Sequence, residues 1–263
     1  MKKIKSKIVR IFFSVFFLIF STSQNSFASP SRNLTVFAEQ NMVAALTKIA
    51  RLYSQKSNVI VSINFNSSSD LVAEIDSGEP ADVFISGHRG WIESLHQKGL
   101  VDVYNVGYIA NDELVLTASK SNKKILPGLL EKNLSLEDAA KILDLHGETL
   151  ILDHEGSSVG SLGNSFIQKF SFQNLKLFKK LNEDKTPFLN IVKSNPEQYS
   201  IMFSSQAKND KDLKILVTSQ NEHIFYQALV IAGDNMDVAR EFLKFLSSKT
   251  AKSVFVESGF ASN

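Results

Sequence analysis

Residues 63–87, INFNSSSDLVAEIDSGEPADVFISG, commit the chain to a strand, a tight serine turn, a helix and a second strand. Ile63 and Phe65 alternate with polar neighbours, which is the period of a strand, and Leu71, Val72 and Ile75 then recur at helical spacing. Gly78 and Pro80 stop the helix, and residues 83–85 form a short apolar strand. Ser67, Ser68 and Ser69 stand between strand and helix. A serine there caps the helix by accepting a hydrogen bond from a free backbone N–H. Several hydroxyls with free N–H groups at the positive end of the helix dipole also make a seat for an anion. On these residues alone both readings stand.

The alternation continues along the chain. Strands are expected at residues 33–38, 59–65, 113–118, 149–152, 199–203, 215–218 and 225–231. Helices are expected at 42–55, 91–97, 136–143, 161–170, 189–194, 236–246 and 250–257. This rhythm predicts an α/β protein with mainly parallel sheets flanked by helices. Trp91 with Leu95, and Phe166, Phe170, Phe172 and Phe178, read as core packing. The composition shifts only at 119–135, a polar, basic connector that suits the edge of a second lobe.

The N-terminus addresses the compartment. Lys2, Lys3, Lys5, Lys7 and Arg10 precede an apolar run over 11–20, and Ser26-Phe27-Ala28 places small residues where signal peptidase reads. We expect a signal peptide over 1–28, cleaved after Ala28, and a periplasmic mature protein. The run is shorter than the ~20 residues that a spanning helix needs. Removing five basic residues takes the formal charge from +2 to −3, so the basic balance of the whole chain belongs to the leader. Nothing then points to nucleic acid or an anionic membrane. The remaining 235 residues are enough for one large or two medium domains. With no cysteine there is no disulfide, no thiolate metal site and no lipid-accepting residue.

Three segments, TVFAEQNMVAAL, FNSSSDLVAEIDSGEPADVFIS and AREFLKFLSSKTAKSVFVESGF, resemble the molybdate-binding periplasmic proteins of ABC transporters. The resemblance runs from Leu34 to Phe260, and residues 120–225 share it mainly in element order. It implies a two-lobed binding protein with ligand in the cleft between lobes. The chain would cross between them near 113–117 and 222–225. Lobe 1 would comprise 29–114 plus 224–263, and lobe 2 would comprise 115–223. The implied ligand is a tetrahedral oxyanion, molybdate or tungstate first, held by hydroxyls and backbone N–H groups without a metal or cofactor. The implied partner is an ABC permease in the inner membrane, and the implied state is a monomer. Carried over residue by residue, the family's second-strand serine matches Ser68. Its first-loop serine falls on Asn41, whose amide both donates and accepts. Its backbone donors fall at Val159 and near Lys185, and its tyrosine falls on Phe203, which has no hydroxyl. A Lys185 facing the cleft would add a positive charge; a solvated lysine is the plainer reading. Asp70 suits the helix dipole, and Glu39, which would repel an anion, is expected to point outward.

Another class fits one motif. Residues 156–160, GSSVG, match the G-x-S-x-G elbow, with Asp210 or Asp212 and then His223 following in the order an α/β-hydrolase uses. Ser158 would attack a carbonyl and His223 would take its proton. Against this, Asp153-His154-Glu155 separate the strand from the first glycine, and an elbow turns directly off its strand. A glycine turn presenting N–H groups at a helix start suits a binding protein better. The five histidines show no short ligand spacing for a metal. The expected function is capture of an oxyanion. Its alternatives are a same-fold receptor for another anion or small polar solute, and the hydrolase.

Overall fold

A computed structural model describes residues 32–180 and 186–261. The expected signal peptide and Lys185 lie outside these residues. The described chain runs β1 (Arg32–Glu39), α1 (Val43–Ser57), β2 (Val59–Asn66), α2 (Ser68–Asp76), β3 (Val83–Ser86), α3 (Arg89–Gln97) and β4 (Val101–Ser119). It continues α4 (Leu136–Leu145), β5 (Thr149–Leu152), α5 (Ser158–Gln168), β6 (Lys176–Lys179), α6 (Phe188–Ser194) and β7 (Tyr199–Phe203). Then come α7 (Ser204–Lys208), β8 (Leu213–Ile231), α8 (Met236–Leu246) and α9 (Lys249–Glu257).

The strands form one sheet in the order β2-β1-β3-β8-β4-β7-β5-β6. Its two ends are parallel: β1 pairs with β2 and β3, and β5 pairs with β6 and β7. They are joined by β4 and β8, which run antiparallel to each other over almost their whole length. β3 joins β8 at Gln227–Val230, whereas β7 joins β4 at Leu114–Ala118, so each parallel end is built on a different stretch of the central pair.

Strand alternation sorts the core. In β1, Val36 and Ala38 enter the main cluster with Leu46 and Ile49 of α1 and Phe242 and Leu246 of α8, while Phe37 faces a second cluster. There it meets Leu71 and Ile75 of α2, Leu95 of α3 and Phe84 of β3, with Trp91 packed alongside. A parallel strand covered on both faces reads as a continuous apolar run, as VFIS does in β3. Each fully buried Leu, Ile or Phe contributes about 1.5–3 kcal/mol, so the helices are held by these faces more than by helix propensity.

Where the elements differ from the sequence reading, the cause is local. β4 and β8 are each 19 residues long, not short strands. Register shifts between Val101 and Val106, Tyr108 and Ala110, Glu113 and Val115, and Leu116 and Thr117 break the alternation that would reveal them. β6, KLFK, has no buried face, so it carries no pattern. Its lysines suit an edge strand, and Phe178 is exposed there instead of in the core. α7 is five residues long, too short for a helical period.

Candidate functional site

The parallel strands β1, β2 and β5 deliver their carboxyl ends to one cleft, the usual ligand position in α/β sheets, and β3 ends against Glu39 in its wall. Its cavity is about 440 Å³. β1 ends at Glu39, β2 feeds the serine turn, β3 ends at Ser86, and β5 leads through residues 153–157 to Ser158.

Two helices open onto this cleft, and both are capped by serine. Ser67 Oγ accepts from Asp70 N at 3.2 Å, and Ser157 Oγ accepts from Gly160 N at 3.0 Å. Capping therefore belongs to Ser67 and Ser157, which leaves Ser68 and Ser158 for the cleft. The glycines between make close approach possible. A Cβ on Gly160 would stand 2.0 Å from the His154 carbonyl oxygen, and one on Gly156 would stand 2.2 Å from Ser69 Oγ. Ser69 N donates to the Gly156 carbonyl at 3.2 Å, so the two helix mouths touch.

At their meeting point is Glu39. It is 4% exposed and points inward, which corrects the outward direction expected from its charge. Its Oε1 accepts from Ser68 Oγ at 2.7 Å, Ser86 Oγ at 2.5 Å, Ser158 Oγ at 2.5 Å and Gly87 N at 2.8 Å. Ser68 Oγ lies 3.1 Å from Ser86 Oγ and 3.4 Å from Ser158 Oγ. Desolvating a carboxylate is costly, and these donors offset the cost.

The other expected site residues fall as follows. Asn41 lines the cleft and its Nδ2 lies 2.5 Å from Tyr226 Oη. Val159, in the first turn of α5, is buried at the wall. Phe203 is buried at the end of β7 and packs edge-on to Tyr226, with ring centroids 6.1 Å apart. A phenol thus sits close to the position where the family's tyrosine was expected, supplied by β8 instead of β7. Burial, then the charges of Glu39 and Asp112, raise the Tyr226 pKa well above its usual value, so it remains a neutral hydroxyl. Lys185 is outside the described residues, but Lys180 lines the cleft with its Nζ 4.0 Å from Asp153 Oδ1, both side chains nearly buried.

Ser86, Gly87 and Lys180 join the site without having been expected there. Ser86 and Gly87 close the apolar strand VFIS, and hydroxyl plus N–H at a parallel strand's carboxyl end was the available signal. His88 is partly buried, with Nε2 3.0 Å from Ser161 Oγ. Burial lowers its pKa, against the pull of the Glu39 carboxylate.

Behind the cleft, Asp112 of β4 is fully buried. It accepts from Ser205 N at 3.1 Å, Ser205 Oγ at 2.5 Å and Glu113 N at 2.8 Å. Burial pushes its pKa up to about 6 despite those hydrogen bonds.

The hydrolase constellation is not assembled by these contacts. Ser158 donates to Glu39, whereas His223 Nδ1 lies 3.8 Å from Glu113 Oε1. Asp210 pairs with Lys193 at 2.6 Å. Among the described residues no group of three or more His, Asp or Glu is placed to hold a metal, and no helix is long and apolar enough to cross a membrane.

A mixed sheet with parallel ends, joined by a long antiparallel pair and opening on a hydroxyl-lined cleft, is the two-lobed architecture of solute-binding proteins. A tungstate ABC transporter structure from Geobacter sulfurreducens superposes with a TM-score of 0.69 at 14% identity, over 86% of this chain and 98% of that one. The periplasmic molybdate-binding protein of Azotobacter vinelandii superposes with a TM-score of 0.62 at 18% identity, over 88% and 99%. Residues 34–261 match the family of bacterial extracellular solute-binding proteins, and the chain belongs to it. In sequence it is 25% identical to the molybdate-binding protein ModA of Escherichia coli (strain K12), over 92% of this chain and 94% of that protein.

Proposed function

We propose that this protein captures a small oxyanion in the periplasm and delivers it to an ABC permease, without acting as an enzyme. The observation that carries the proposal is the seat around Glu39 Oε1. There an anionic oxygen is held by three hydroxyls and one backbone N–H. Neutral donors of this kind hold charge without a counter-ion, as helix mouths and backbone nests do. The relatives named for molybdate and tungstate make those two anions the first candidates. Ser68, Asn41 and Val159 would face the ligand. Phe203 would contribute a wall.

The lobes would divide at the central pair, as 29–114 plus 224–263 against 115–223, and close on the ligand by a hinge motion. Residues 1–28 would be removed on export, leaving a monomer that the permease reads in its closed form.

A second reading, the same fold serving another anion or a small polar solute, draws on two observations. The cavity of about 440 Å³ is within the ~300–1,000 Å³ of sites that take small organic molecules. Its lining also carries Glu39, Asp70, Asp153 and Asp210 beside Lys180. Calorimetric titration of the mature chain with molybdate, tungstate, sulfate and phosphate separates the two. Binding confined to molybdate and tungstate supports the first, and no heat with any of the four leaves the second.

A further inference from the structure

We infer that Glu39 is an internal ligand: its carboxylate occupies the oxyanion seat, and an external oxyanion binds by displacing it. The inference rests on the reading of this cleft as an oxyanion site. Glu39 Oε1 draws donors from α2 (Ser68), from the end of β3 (Ser86 and Gly87 N) and from α5 (Ser158). β1 and β3 lie toward one end of the sheet and β5, which feeds α5, toward the other. One carboxylate oxygen therefore joins donors that the fold brings from both ends, which is what a ligand of a two-lobed receptor does.

The hydroxyls are gathered on a point. With Ser68 Oγ 3.1 and 3.4 Å from the other two, little room is left at the focus for a second oxygen. Two negative charges a few ångströms apart also repel strongly where the surroundings are poorly solvated. Carboxylate and oxyanion thus exclude one another by shape and by charge. Glu39 is the last residue of β1, before the turn Gln40–Met42, so the side chain can swing without unpairing the strand interior.

Glu39 then sets specificity. An incoming anion must recover more hydrogen bonding than the carboxylate gives up, and weakly accepting anions are refused. The measured affinity is the seat's own affinity reduced by the fraction of time the carboxylate holds it.

The test compares wild type, E39A and E39Q by calorimetry with molybdate, tungstate and sulfate. Expulsion of the competitor makes E39A bind its best oxyanion at least about tenfold tighter than wild type, a gain of about 1.4 kcal/mol. E39Q keeps the shape without the charge and falls between them. It carries the test alone should E39A not fold. If wild type binds and neither variant binds tighter, the inference fails and the oxyanion reading stands. Binding by E39A or E39Q but not by wild type would mean that the carboxylate is never displaced, which overturns the inference and removes the oxyanion as the natural ligand. No binding by any of the three overturns both.

Discussion

Glu39 and Asp112 are two buried carboxylates held the same way, by serine hydroxyls and backbone N–H groups, at places with different mechanical roles. Glu39 stands in the cleft, and its donors come from three separate elements. Asp112 stands in the central strand β4, and its donors come from its own neighbour Glu113 and from Ser205 in the first turn of α7. Asp112 fastens a helix to a strand and does not itself line the cavity. Glu39 lines a cavity, so water or an anion can take over its hydrogen bonds. The same chemistry is structural in one place and exchangeable in the other. The difference is access.

The largest effect should separate them in stability. D112A leaves three donors without an acceptor in a site closed to solvent, at a cost of about 3 kcal/mol by urea denaturation at neutral pH. E39A should cost about 1 kcal/mol, because Ser68 and Ser158 line a polar cavity that water can enter. A saturating oxyanion should recover that loss by mass action. Equal losses in the two variants would mean that the cleft seat is as closed as the strand site, and the contrast would collapse.

Acidity gives the next effect. The Asp112 carboxyl is pushed from 3.8 up to about 6 by burial, so the folded chain holds this proton more tightly than the unfolded chain does. Its contribution to stability is full below the unfolded value and is lost as pH rises through about 6. The loss is on the order of 2–3 kcal/mol. Urea midpoints measured between pH 4 and 7 on wild type and D112N check this. The fall present in wild type should be flattened in D112N, whose amide does not titrate, and a parallel fall would assign the dependence to other groups.

Much of the architecture was legible because it is repetitive. Apolar strands alternate with helices, and serine or glycine turns stand at the helix mouths, so both 67–69 and 156–160 could be picked out. What could not be read is where three distant elements meet. The burial of Glu39 depends on Ser86 and Ser158, which lie 47 and 119 residues away in sequence. Taken singly, a glutamate is expected to turn outward, and only the assembled donors reverse the balance. Tyr226 shows the same limit, since the phenol near Phe203 comes from a neighbouring element of the site that no local pattern marks. The long central pair was hidden for a different reason, its repeated register shifts.

The smallest effects test whether the seat belongs to a receptor at all. On the E39A background, where no carboxylate competes for the same donors, S158A removes one donor to the bound oxyanion and should weaken its binding about tenfold, the worth of one hydrogen bond. His223 sits on β8 against Glu113, outside the cleft lining, so H223A should leave the titration unchanged. A nucleophile elbow requires the opposite pattern. Ser158 and His223 would then act as one unit, and either variant would abolish turnover of an ester substrate. Loss of a measurable esterase activity in both variants would make Ser158 a nucleophile and Glu39 its neighbour. A tenfold loss in S158A with none in H223A makes the serine a donor in an anion seat, the role that its 2.5 Å contact with Glu39 already gives it.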